Sequence, residues 1–150
     1  MCTGVRFADA AGNLYFGRNL DWCESYGEGV VITPRGASIP TQFLGSLSPE
    51  HACVGMGIVV GGVPCYFDCA NEAGLAIAGL NFPGYAQFAE APEKGAVNVA
   101  AYEFPLWVAA SFSTVAEVRK ALEDGCNEID MVVNISDVKN GLLDKVEEEI

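Results

Sequence analysis

The chain has 150 residues, 51% of them apolar, with eight basic against twenty acidic side chains and a net charge of −12. That length and a mean hydropathy of +0.25 predict one domain with its own core rather than disorder. The acidity opposes binding to nucleic acid or to an anionic membrane surface.

In chain order, residues 2–8 and 14–21 predict two short strands about a turn at 9–13, where Gly12-Asn13 is a hairpin signal. Residues 30–33 predict a third strand, ended by Pro34-Arg35-Gly36, and 37–50, with two prolines and several serines, a loop. Residues 54–61 and 64–69 predict a second hairpin turning at Gly61-Gly62. Residues 75–81, small and apolar, suit a strand covered on both faces, and 82–95 form a loop facing the substrate. Helical spacing begins near Ala100: residues 101–112 carry Phe104, Trp107, Val108 and Ala109, and Ser113 ends that helix. Thr114 and Glu117 make a capping box for a second helix with Val115, Val118 and Leu122 on one face and Gly125 as its stop. Residues 128–135 read as a strand, and Leu142, Val146 and Ile150 as one face of a terminal acidic helix. Strands first and helices after indicate an α+β fold.

No apolar run reaches the roughly 18 residues of a spanning helix, and no basic segment leads into an apolar one. A cytoplasmic protein without membrane association is expected. Six cysteines are present, at positions 2, 23, 53, 65, 69 and 126. No CxxC pair occurs and Cys65-x3-Cys69 has no histidine nearby, so buried thiols are expected rather than disulfides or a metal site.

Cys2 carries the most chemistry. Methionine aminopeptidase acts when the second residue is small, so the mature chain is expected to begin with a cysteine bearing a free amine. An unperturbed α-amine titrates at about 7.7–8.0 and a thiol at about 8.5, so one can serve as base for the other without a histidine. The single histidine, His51, lies in a plain polar setting. Taken alone, Cys2 could equally be a tolerated second residue, Arg18 a solvated strand arginine, Asp21 a turn aspartate and Asn81 turn chemistry.

Five stretches bear on that choice: MCTGVRF (1–7), YFGRNLDW (15–22), VVITPRG (30–36), YFDCANEAGLAIAGLNFPGYAQF (66–88) and NVAAYEFPLWV (98–108). In order and spacing they resemble the choloylglycine hydrolase family, and within it the bile salt hydrolases, over residues 1–113. The resemblance implies the N-terminal part of an N-terminal-nucleophile (Ntn) hydrolase, an αββα sandwich of antiparallel sheets with helices outside. It implies a bacterial, cytoplasmic amidase that cleaves glycine or taurine from conjugated bile salts, with no cofactor or metal, and a homo-oligomer at full length. Cys2 is then the nucleophile, Arg18 the neighbouring cation that favours thiolate, Asp21 the acceptor for the α-ammonium, and Asn81 an oxyanion donor. Leu20, Ile58, Phe82 and Phe88 are expected in the apolar wall of the bile-salt pocket, and Asn71 is structural. Penicillin V acylase and acyl-homoserine-lactone acylase use the same nucleophile with another pocket, but GRNLDW with AGLNFPGY favours the bile-salt side.

From 114 to 150 the chain instead resembles an internal fragment of deoxyribose-phosphate aldolase. Asp130 matches the proton-relay aspartate of that family's GxxEIDMV strand, whereas Lys120, Lys139 and Lys145 do not match its Schiff-base lysine. One strand and two helices cannot close an eight-stranded barrel, so no aldolase activity is expected. The whole is expected to be a truncated hydrolase, impaired because the family's further catalytic asparagine and arginine lie beyond the match, or else a non-catalytic fusion fragment.

Overall fold

The computed structural model describes residues 2–80 and 91–123. Strands β1 (Thr3–Ala8) and β2 (Leu14–Asn19) form an antiparallel hairpin. Its turn is built around Asp9. The carboxylate accepts the backbone N–H groups of Ala11 and Asn13 at 2.9 Å, Asn13 Nδ2 at 2.8 Å and the Tyr15 hydroxyl at 3.1 Å. These donors, the Asn13 side chain foremost, hold the exposed carboxyl below its ordinary range. Gly12, at φ +83°, takes the left-handed position.

Strand β3 (Gly29–Thr33) follows, then a small hairpin of β4 (Ile39–Thr41) and β5 (Gly45–Leu47). The sequence reading of 37–50 as pure loop missed this hairpin. Ile39, only 4% exposed, anchors it in the core, and Gly45 at φ +76° turns it. Strands β6 (Cys53–Val60), β7 (Val63–Asn71) and β8 (Ala76–Ala78) complete a four-stranded antiparallel sheet in the order β3-β6-β7-β8. Thus β8 is shorter than the strand expected at 75–81, and its three residues are half-buried.

Helix α1 (Phe104–Ser111), with a proline in its first turn, lies on one face of this sheet. The expected helix began at 101, but residues 101–103 form a turn that leads into it. Ile39, Cys53, Tyr66, Cys69, Leu106, Ala109 and Ala110 form the core between helix and sheet. Tyr66 donates its hydroxyl to the Val31 carbonyl at 3.3 Å and meets Thr33 Oγ1 at 2.7 Å, so its polar end is satisfied in the interior.

Helix α2 (Val115–Glu123) starts on the expected capping box. Glu117 N–H donates to Thr114 Oγ1 at 3.2 Å, while the Glu117 carboxylate accepts from Thr114 N at 3.3 Å and Ser113 N at 2.7 Å.

Period-two alternation sorts the other face. Val30 pairs with Met56 and Ile32 with Val54, and these continue to Asp68 and Ala70 on β7 and to Ala78 and Ala76 on β8. This face carries no described helix, and Val30 and Ile32 are 71% and 70% exposed. Pairing of β6 with β7 steps from Met56–Asp68 to Gly57–Tyr66, leaving Phe67 as the extra residue of a β-bulge.

Gly55 and Gly57 flank the bulge on the helix side. A Cβ on Gly55 would collide with the Asp68 carbonyl and lie 2.6 Å from Cys69 Cα, backbone that cannot move aside cheaply. Gly55→Ala is therefore expected to cost about 2–3 kcal/mol, the overpacking range, read as a lower urea midpoint at unchanged m-value.

Candidate active site

Cys2 sits immediately before β1 and is 6% exposed. The hairpin register pairs Gly4 with Arg18, and carried on by one pair it sets Cys2 opposite Leu20. Alternation then puts Cys2, Gly4, Arg18 and Leu20 on one face of the hairpin, with Arg18 diagonal to Cys2. Gly4, which lies between them on that face, adds no side chain and is itself buried.

The Arg18 side chain is 6% exposed, far from the solvated strand arginine that its sequence setting allows. Its Nη2 donates to the Gly79 carbonyl, and its Nε lies 3.7 Å from Asp68 Oδ2. Nε and Nη1 are buried without a hydrogen bond. Asp68 is itself held across the bulge, its Oδ1 accepting from Met56 N–H at 3.5 Å. Gly79 N–H donates to the Phe67 carbonyl at 2.9 Å. The bulge is also touched by the loop after β2: Tyr26 packs on Phe67 with ring centroids 5.9 Å apart, and Trp22 stacks on Tyr26 at 6.2 Å.

Of the other expected residues, Asp21 lies exposed two residues after β2, and Leu20 is 39% exposed. Ile58 is half-buried on β6, on the open face one alternation beyond Met56. Asn81, Phe82 and Phe88 lie outside the described residues, as do Cys126 and Asp130. Asp68 and Gly79, the contacts of Arg18, were not foreseen. They lie 50 and 61 positions along the chain, and their one hint was an aspartate placed mid-strand in YFDC.

Asn71 has the structural role expected of it. Its Nδ2 donates to the carbonyls of Ala109 at 2.8 Å and Phe112 at 2.7 Å, and its Oδ1 accepts from Ala73 N and Leu75 N, both at 3.0 Å.

The thiols divide by environment. Cys53 and Cys69 are buried and Cys65 is half-buried, whereas Cys23 is exposed, against the expectation that it would be covered. Burial is the main cause that pushes the Cys53 thiol up to about 11 and Cys69 to about 12, with Glu72 adding at Cys53 and the Cys53 and Asp68 charges adding at Cys69. A thiol raised in the folded state favours its neutral form, so its contribution to stability is complete below the unfolded value, about 8.5. That contribution is lost as pH climbs through 11–12. The urea midpoint should therefore fall progressively above about pH 9, with a shallower fall in Cys69→Ala.

His51 accepts no catalytic role from its surroundings. Its Nε2 lies 3.0 Å from Ser113 Oγ in a depression of about 480 Å³ on the helix side of the sheet, lined also by Glu50, Phe112, Glu117 and Lys120. Ser113 N–H, which could have polarised a carbonyl there, is already given to Glu117. Among the described residues no cluster of three or more His, Cys, Asp or Glu could hold a metal ion, and no helix is long and apolar enough to cross a membrane.

Comparison with known proteins places the chain. The family model for linear amide C–N hydrolases, choloylglycine hydrolase family, matches residues 2–148. The chain is 58% identical over 125 residues to the bile salt hydrolase/transferase of Bifidobacterium longum subsp. longum, covering 83% of this chain but 39% of that protein. Two crystal structures of conjugated bile acid hydrolase from Clostridium perfringens superpose on 82% of this chain and 38% of theirs. One, a C2A mutant, gives a TM-score of 0.78 at 36% identity, and the other, an R18L variant, 0.76 at 34%. The tail is also similar to deoxyribose-phosphate aldolase of Clostridium botulinum, 60% identical over 47 residues, 31% of this chain and 21% of the aldolase. The aldolase match is longer than the 37 residues of 114–150, so it begins at or before residue 104 and overlaps the family match, and the chain spans about 39% of the curated relative's length. With that match and the Ntn-hydrolase fold, the chain belongs to the choloylglycine hydrolase family of linear amide C–N hydrolases.

Proposed function

We propose that the chain supplies the nucleophile of an amidase acting on glycine- or taurine-conjugated bile salts. The observation that carries this reading is the buried Arg18 on the same hairpin face as Cys2, in a chain 58% identical to a bile salt hydrolase/transferase. In the proposed reaction the Cys2 α-amine takes the thiol proton and the sulfur attacks the amide carbon. The C–N bond breaks, glycine or taurine leaves with that proton, and water hydrolyses the thioester to the free bile acid and the thiol. Arg18 favours the thiolate through its charge. Asp21 accepts from the α-ammonium, Asn81 donates to the developing oxyanion, and Leu20, Ile58 and Phe82 receive the steroid. A cytoplasmic location and a homo-oligomer complete the proposal, to be checked by cell fractionation and sedimentation.

The test is release of glycine from glycocholate, followed by mass spectrometry. Low turnover is expected from the 150-residue chain, and full turnover when residues 1–113 are joined to the remaining length of a relative. If the joined protein folds and leaves glycocholate intact, the reading fails.

A second reading is favoured by the 60% identity of 47 residues to an aldolase: the tail, expected at 114–150 but reaching back to about 104 if all 47 belong to it, is a foreign fragment, and the product is non-catalytic. Long-read sequencing across the codons for residues 98–126 tests it. An unbroken junction in independent DNA supports the fusion, and its absence removes the fusion.

A further inference from the structure

Arg18 is buried, yet nothing on its own hairpin holds its guanidinium through a described hydrogen bond. Both of its described partners come from the sheet. Nη2 is taken by the Gly79 carbonyl just after β8, and Nε faces Asp68 Oδ2 on β7 at 3.7 Å, while Nη1 stays buried without a hydrogen bond. Asp68 reaches this position through the bulge. The extra residue Phe67 reverses the alternation of β7, so that Asp68 shares the open face with Met56, and Met56 N–H holds its other carboxylate oxygen at 3.5 Å. Without the bulge, alternation from Tyr66, which faces α1, would send residue 68 to the helix side. A carboxylate, 23% exposed, is thus aimed at a nearly dry guanidinium on another element.

We propose that Asp68 is a positioning residue: it fixes the Arg18 guanidinium in the orientation that presents its charge to Cys2, and it acts on the thiol only through Arg18. This rests on the reading of Cys2 as nucleophile and Arg18 as its cation. Among the described residues, the charged groups on the hairpin face of Cys2 and on the elements against it are Arg6 from β1, Arg18 from β2, Asp21 from the loop after β2 and Asp68 from β7, to which the mature chain adds the α-amine of Cys2.

The sign of the effect separates this role from simple charge. A carboxylate near a thiol disfavours thiolate, so deleting Asp68 for its charge alone lowers the Cys2 pKa and quickens alkylation. Deleting it as a support frees Arg18 to turn away, which raises the pKa and slows alkylation. The experiment is the pH profile of iodoacetamide labelling at Cys2 on the intact chain, followed by peptide mass spectrometry, so that no turnover is needed. Asp68→Ala is expected to raise the Cys2 pKa by about one unit and slow labelling at neutral pH roughly fivefold to tenfold. In an Arg18→Ala background the same substitution should do nothing further. Asp68→Thr, a good strand former without charge, replaces it if the alanine variant fails to fold, and Asp68→Glu should restore part of the rate.

If Arg18→Ala slows labelling while Asp68→Ala leaves it unchanged or quickens it, the positioning role is wrong and the Cys2–Arg18 reading stands. An equal slowing by Asp68→Ala with and without Arg18 also overturns the proposal, because Asp68 would then act directly. If Arg18→Ala itself leaves Cys2 unaffected, the parent reading of Arg18 fails.

Discussion

Cys2→Ser should remove glycocholate hydrolysis from the active, extended form of the protein by roughly 10⁴-fold or more, the usual scale for deleting a nucleophile from a unit that works together. Serine keeps nearly the same size and still carries a donor, but gives up acidity. A neighbouring α-amine can take a proton from a thiol of nearly matched pKa and leave a standing thiolate, whereas an alcohol must lose its proton during the attack, which a site arranged around a thiolate supports poorly. The same substitution should leave the urea midpoint almost unchanged, since it exchanges one atom at a site outside the main core. A kinetic loss without a stability loss is what the assignment requires. Hydrolysis that survives Cys2→Ser would move the nucleophile elsewhere.

Asn71→Ala should be the most destabilising single polar substitution in the described part, at about 4 kcal/mol. One amide side chain closes two structures at once. Its nitrogen serves two carbonyls at the C-terminal end of α1, at Ala109 and Phe112, and its oxygen serves two N–H groups of the turn before β8. The last carbonyls of a helix have no partners of their own, and here the protein supplies them from β7 and from the bend before β6: Ala110 accepts from Glu50 N at 2.9 Å and His51 N at 3.2 Å. Alanine would strip four bonds from a residue 7% exposed, leaving groups that water reaches poorly. Asn71→Asp keeps the two acceptor bonds but sets carboxylate oxygen against two carbonyls, so it should be nearly as damaging. Thermal unfolding by circular dichroism measures both, and a loss under 1 kcal/mol for either would show that the bonds are worth little.

Much of the architecture was legible because it is local. Hairpin turns marked by Gly12 and by Gly61-Gly62, and the Thr114–Glu117 box, depend on residues a few positions apart, and each formed where read. The short β4–β5 hairpin escaped because its strands are three residues long, too brief to display an alternation. Cys2 and Arg18 were legible from the resemblance, and their sharing of a face follows from the Gly4–Arg18 register. The supports of Arg18 were not legible. A bulge is a one-residue slip against a partner strand, and no pattern within YFDC announces it. Asp68 in an unbroken strand would have been read as belonging to the opposite face.

Among the described residues the sheet is covered by a helix on one side only, which has a consequence for how such a chain comes into being. Residues 29–71 pair mostly with near neighbours in sequence, and α1 closes over them by residue 111. These elements can consolidate while later residues are still being synthesised. What emerges early is a half-built particle whose Val30, Ile32, Val54 and Met56 remain in water, a sticky surface for as long as it stays so. Slower synthesis past residue 111 is therefore expected to increase the share of this chain lost to aggregation.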